Sequence, residues 1–147
     1  MEKGKKMLNK TCSRLVAACA VVVSPYVTSG VDAAGLDGST DIVCAVTHVV
    51  ACLEDGFCLQ GQAKTFDLPD LIVMDAKDKV MRGTHESGHN AVSPIKNMEH
   101  NGEHLVIQGV ENSRGWDLAV NSRTGHMSAS SVGDEVTFLA HGTCTTP

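Results

Sequence analysis

The chain has 147 residues, 42% of them hydrophobic and 20% charged, with 12 Lys+Arg against 17 Asp+Glu and a formal charge of −5. That length holds one domain with a single modest core. The acidic balance repels phosphate backbones, and an aromatic content of 3% leaves few stacking platforms, so nucleic acid is not an expected partner.

The N-terminus carries Lys3, Lys5, Lys6, Lys10 and Arg14, then the apolar run LVAACAVVV over residues 15–23, then Pro25 and small residues through Ala33 and Ala34. This is the layout of a secretory signal peptide, with an N-terminal signal helix about half as long as a bilayer-spanning one. Val31-Asp32-Ala33 suits signal peptidase, which predicts cleavage before Ala34 and divides the chain into a signal, 1–33, and one β-domain, 34–147. Val16-Ala17-Ala18-Cys19 has the look of a lipoprotein box, but the apolar run continues past Cys19, where such a box normally ends it. The processed chain keeps 114 residues, with 7 Lys+Arg against 15 Asp+Glu, a charge of −8. It holds no second apolar stretch of membrane-spanning length.

Processing leaves four cysteines, Cys44, Cys52, Cys58 and Cys144, an even number in an exported domain and hence two expected disulfides. Three pairings exist. Cys52–Cys58 over the short Glu54-Asp55-Gly56 loop, with Cys44–Cys144 tying the first strand to the last, is the favoured one. No C-x-x-C spacing points to a redox or zinc site.

From Ile42 onward the texture is that of strands. Residues 42–51 are rich in β-branched side chains, and residues 71–76 and 79–84 flank a Lys77-Asp78 turn. Asn101-Gly102 is a strong hairpin signal before a strand over 103–110. Residues 116–121 alternate, with Trp116, Leu118 and Val120 on one face. Residues 126–132 do the same with Met127 and Ala129 inward, and Val136, Phe138 and Ala140 share a face. Short strands with turn signals roughly every ten residues predict an all-β antiparallel meander of about eight strands. Closing it into a small barrel, or folding it into a sandwich, removes the exposed edges. Phe66, Trp116, Phe138, Leu105 and Ile107 are the expected core.

Between Leu105 and Thr145 lie Gln108-Gly109-Val110-Glu111, Gly115-Trp116, Thr124-Gly125 with Met127, and a terminal Gly142-Thr143-Cys144; Leu68-Pro69-Asp70-Leu71 and Ser93-Pro94-Ile95 precede them. In these packing and turn motifs the chain resembles a group of small exported proteobacterial β-domain proteins of unknown function. The resemblance covers most of the processed chain and implies a compact β-domain in the bacterial periplasm. It brings no functional residues with it.

Histidine supplies the unusual chemistry. His85-Glu86-Ser87-Gly88-His89 matches H-E-x-x-H, and His100-Asn101-Gly102-Glu103-His104 matches the inverted H-x-x-E-H. Both motifs need a helix to bind zinc, and Gly88, Asn90, Pro94 and the Asn-Gly turn oppose one. What remains is a surface site: two histidines flanking a tight turn can face each other, and His85, His89, His100 and His104 together can hold Zn²⁺, Cu²⁺ or Ni²⁺. Asp67, Asp70, Asp75 and Asp78 lack an EF-hand's glycine and terminal glutamate and read as turn and surface residues. The polar run Glu111-Asn112-Ser113-Arg114-Gly115 is a turn suited to shape a binding mouth at one end of a barrel. No nucleophile elbow, phosphate loop or dinucleotide fingerprint is present. The sequence therefore points to a non-enzymatic binding or interaction module with an unidentified protein or small ligand as partner, and to divalent-metal binding through the paired histidines as the alternative.

Overall fold

The structure, a computed structural model, describes residues 35–84 and 90–147. The expected signal segment and cleavage site, Cys19, His85 and His89 lie outside the described residues. Nine strands follow in order: β1 (Ile42–Leu53), β2 (Cys58–Gly61), β3 (Leu71–Asp75), β4 (Val80–Gly83), β5 (Val92–Asn101), β6 (His104–Glu111), β7 (Arg114–Asn121), β8 (His126–Val132) and β9 (Val136–Thr145). A 3-10 turn, Ala63–Phe66, sits between β2 and β3.

Every pairing is antiparallel, and β9 returns to β1, so eight strands close into a barrel. The ninth, β2, hangs from the far half of β1: residues 49–52 pair with β2, while residues 42–45 pair with β3 on the same edge. Closure leaves the ring without a free edge. The expected all-β meander takes the barrel form rather than the sandwich.

Two bulges keep the apolar residues pointing inward. In β1 the register shifts between Val46 and His48, so Ile42, Cys44 and Val46 face in before it and Val49 and Ala51 after it. In β5 the shift lies between Ile95 and Asn97, turning the inward set from Ser93 and Ile95 to Met98. An extra residue in one strand reverses the face of all that follows, and both sequences change their apolar parity at that point.

Both disulfides join residues directly opposite each other in the ladders, Cys44 with Cys144 and Cys52 with Cys58, as favoured from the sequence. The first welds the seam at which the barrel closes. Near it, at the end reached by the start of β1, the interior is solid: Leu36, Ile42, Met74, Leu105, Ile107, Leu118 and Val120 are fully buried. Leu36 precedes β1 and belongs to this core, closing that end as a plug. Leu105 and Ile107 are the core residues expected. Trp116, also expected, is half-buried and packs against this core, while Phe66, in the 3-10 turn, and Phe138 are half-buried outside it.

The β5–β6 hairpin turns one residue later than the Asn-Gly signal suggests. Asn101 pairs with His104, leaving Gly102 and Glu103 as the loop. Gly102 has φ +60°, and a two-residue hairpin with glycine at its first loop position needs that conformation. Between β6 and β7 the loop residues Asn112 and Ser113 have φ of 46° and 63°, the pair of positive values a type I′ hairpin requires.

Candidate ligand cavity

The plugged end and the opposite end of the barrel differ in side-chain size. At the height of the plug the inward residues are Leu, Ile, Val and Met with the Cys44–Cys144 pair. Higher up, β8 turns inward Ala129 and Ser131, β9 turns in Ala140 directly opposite Ala129, and β5 and β6 turn in Ser93 and Gly109. Small residues facing one another leave space. The space is a cavity of about 500 Å³, bordered by Val46, Ile72, Met81, Trp116, Leu118, Ala129, Phe138 and Ala140, with Phe66, Leu68 and Pro69 over one side. Its volume and apolar lining are those of sites that hold small molecules.

Trp116 is the largest wall element. Its indole lies on Gly109, where a Cβ would fall 2.1 Å from Cζ2 and 2.7 Å from the Pro94 carbonyl oxygen. Only glycine admits the ring there. The indole Nε1 donates to Ser93 Oγ at 2.7 Å, which accounts for the one buried polar side chain among the described residues; a buried indole N–H needs such an acceptor. Alternation correctly placed Trp116 on the inner face, but the ring borders an open space instead of filling the core.

Arg114, the first residue of β7, stands at the mouth. Its Nε donates to Ser131 Oγ at 3.2 Å, and its Nη2 donates to the carbonyl oxygens of Ser131 at 3.3 Å and Val136 at 2.6 Å. The guanidinium also lies 5.2 Å from the centre of the Phe138 ring, close enough for a cation–π contact. Phe138 in turn meets Phe66 edge-on, centroids 6.2 Å apart. Among the described residues no carboxylate forms an ion pair with Arg114. Glu111 and Asn112, in the turn singled out as a binding mouth, also border the cavity.

The large exposed apolar residues are Leu53, Phe57, Leu59, Val92, Val110, Val132 and Leu139. The ladder register puts four of them at strand ends toward the open end: Leu53 opposite Val136 where β9 begins, Val92 opposite Arg82, Val110 opposite Gly115, and Val132 opposite Thr137. These four form an apolar collar around the mouth. Clustering of this kind marks binding surfaces, whereas scattered apolar residues mark nothing.

The histidines gather differently from expectation. His100 pairs with Leu105 and His104 with Asn101, so His100 lies on the inward-facing side of its strand end and His104 on the outward side. They do not face each other. His104 instead shares a shallow exterior depression with His126 and His141. Among the described residues no three potential metal ligands converge, so the structure lends no support to a metal site. Asp67, Asp70, Asp75 and Asp78 do not make one either. Asp67 ends the 3-10 turn in a left-handed conformation, Asp70 pairs with Lys64, and Asp75 and Asp78 pair with Arg82.

Two carboxylates are held below their ordinary range, both away from the cavity. The Ser39 hydroxyl, donating to Asp37, lowers the first. The Asp78 backbone N–H lowers Asp75, with a further contribution from Arg82. Hydrogen bonds to the charged form favour it. The cavity offers apolar walls, the fixed cation of Arg114, hydroxyls at Ser93 and Ser131, and the charged residues Asp67, Arg82 and Glu111 at its border. Comparison with known protein families, curated proteins and solved structures finds no match for the chain.

Proposed function

We propose that this chain is an exported binding module, working in the bacterial periplasm, that takes a small apolar molecule into the open end of its barrel. One observation carries the reading: an apolar cavity of about 500 Å³ that opens at the end bearing the apolar collar. The signal-peptide layout supports export, and two disulfides suit an oxidising compartment.

The only tryptophan of the chain, Trp116, lines the cavity and serves as an internal reporter. N-phenylnaphthylamine, an uncharged apolar fluorophore, is expected to bind one per chain, with energy transfer from Trp116. An Ala140→Phe variant, which fills the space opposite Ala129, is the control. Equal fluorescence with the filled variant, or no saturable binding, contradicts the proposal. The export half is tested separately: protein recovered from the periplasm of an expressing bacterium is expected to begin at Ala34, and a chain retaining residues 1–33 refutes it.

A further inference from the structure

We propose that the preferred ligand is an amphipathic monoanion, with an aliphatic tail in the barrel and a carboxylate head on Arg114. The inference rests on the cavity reading above and adds the chemical class of the ligand.

The first support is the state of the guanidinium. Three hydrogen bonds, all to uncharged oxygens, hold Nε and Nη2, while Nη1 makes no hydrogen bond among the described residues. Gly133 packs beside it, where a Cβ would come within 2.6 Å of Nη1. The positive charge is thus fixed in place, and no described carboxylate, its ladder partner Glu111 included, forms an ion pair with it. A ligand that pairs with it gains a charge-assisted contact without having to order the side chain first.

The second support is the charge around the mouth. Asp67 and Glu111 border the same cavity, and Arg82, the other cation on its border, is already paired with Asp75 and Asp78. One negative charge is met by Arg114, whereas a second meets carboxylates. The arrangement therefore favours a carboxylate over a phosphate monoester, while a cationic head group leaves Arg114 without a counter-charge.

The third support is depth. Arg114 at the mouth and Leu118 at the floor lie four residues apart on β7, about 13 Å along the strand and roughly 10 Å along the axis of a barrel with the usual strand tilt. The cavity's 500 Å³ equals the room of roughly 16 waters at about 30 Å³ each. Depth and volume together suit an unbranched tail of about ten to twelve carbons.

The test is displacement of N-phenylnaphthylamine from the oxidised, processed protein by dodecanoate, 1-dodecanol, dodecyl phosphate and dodecyltrimethylammonium, all below their micelle concentrations. Dodecanoate is expected to displace at concentrations at least about tenfold below dodecanol, the low end for a charged hydrogen bond, and ahead of dodecyl phosphate and the ammonium. Arg114→Gln is expected to erase the advantage of dodecanoate over dodecanol. Equal or better displacement by dodecanol, or preference for the ammonium, overturns the monoanion inference and leaves the cavity intact. The wild-type head-group series decides the matter even if the variant folds poorly. Failure of the fluorophore itself to bind overturns the cavity reading and this inference with it.

Discussion

The two disulfides do different amounts of work, and the difference is measurable. Cys44–Cys144 closes a loop with a sequence separation of 100, and Cys52–Cys58 one of 6. In the chain-entropy treatment the first restricts the unfolded state by about 4.7 kcal/mol and the second by about 2 kcal/mol at 25 °C. Burial adds in the same direction: Cys44 and Cys144 belong to the core, whereas Cys58 is exposed. The Cys44→Ala, Cys144→Ala double variant is therefore expected to lose about 2.5 kcal/mol more than Cys52→Ala, Cys58→Ala. With a urea slope of about 1.5 kcal/mol/M, the midpoints separate by roughly 1.5–2 M. Trp116 fluorescence in a urea titration reads both, and complete unfolding of the first variant in water is the limiting form of the same result. Equal losses, or a larger loss from the small loop, would refute the idea that the seam disulfide holds the barrel by closing its two ends.

Other consequences follow from single contacts. Gly142→Ala would bring a Cβ within 1.9 Å of the Ala45 carbonyl oxygen across the β1–β9 seam, so a loss of at least about 2 kcal/mol is expected in thermal unfolding. Gly109→Ala displaces the Trp116 ring and its bond to Ser93; the expected signs are a loss of about 1–3 kcal/mol and a red-shifted tryptophan emission. Asp75 ionises below its ordinary value of 3.8 in the folded chain, so its stabilisation is present above that value and disappears as pH falls through the lowered one. Wild type is expected to lose stability below about pH 4 more steeply than Asp75→Asn, measured by urea midpoints across an acid series.

Much of the fold was legible because strand alternation reports directly on which side faces the core. Trp116, Leu118 and Val120 were placed inward by period two alone, and residues 126–132 were bounded as the structure has them. β5 was not legible: Pro94 and the polar Lys96, Asn97, Glu99 and His100 hide a strand whose bulge also breaks the alternation. β2 was missed because four residues with an exposed face carry no periodic signal. The turn at Gly102 came one residue late, since glycine at the first loop position competes with the Asn-Gly signature.

The cavity itself was illegible for a simple reason. Empty space comes from small residues facing each other, and Ser93, Gly109, Ala129 and Ala140 come from four strands. The turn carrying Arg114 already read as suited to a mouth, but only the convergence of these four shows a cavity behind it with Trp116 as its wall. The histidine pair fails for a reason the sequence did contain. A two-residue hairpin pairs even-numbered residues of one strand with odd-numbered residues of the other, so positions 100 and 104 fall on opposite faces in any such register.

The most direct test of the central claim is an amide NMR titration of the oxidised β-domain, residues 34–147, with dodecanol, an uncharged ligand that tests the cavity independently of Arg114. The account predicts shifts confined to the inner surface: the Trp116 indole N–H and the backbone of Ile72, Ala129 and Ala140, saturating at one ligand per chain. Shifts centred on the exterior around His126 and His141, or none at saturating ligand, would contradict it.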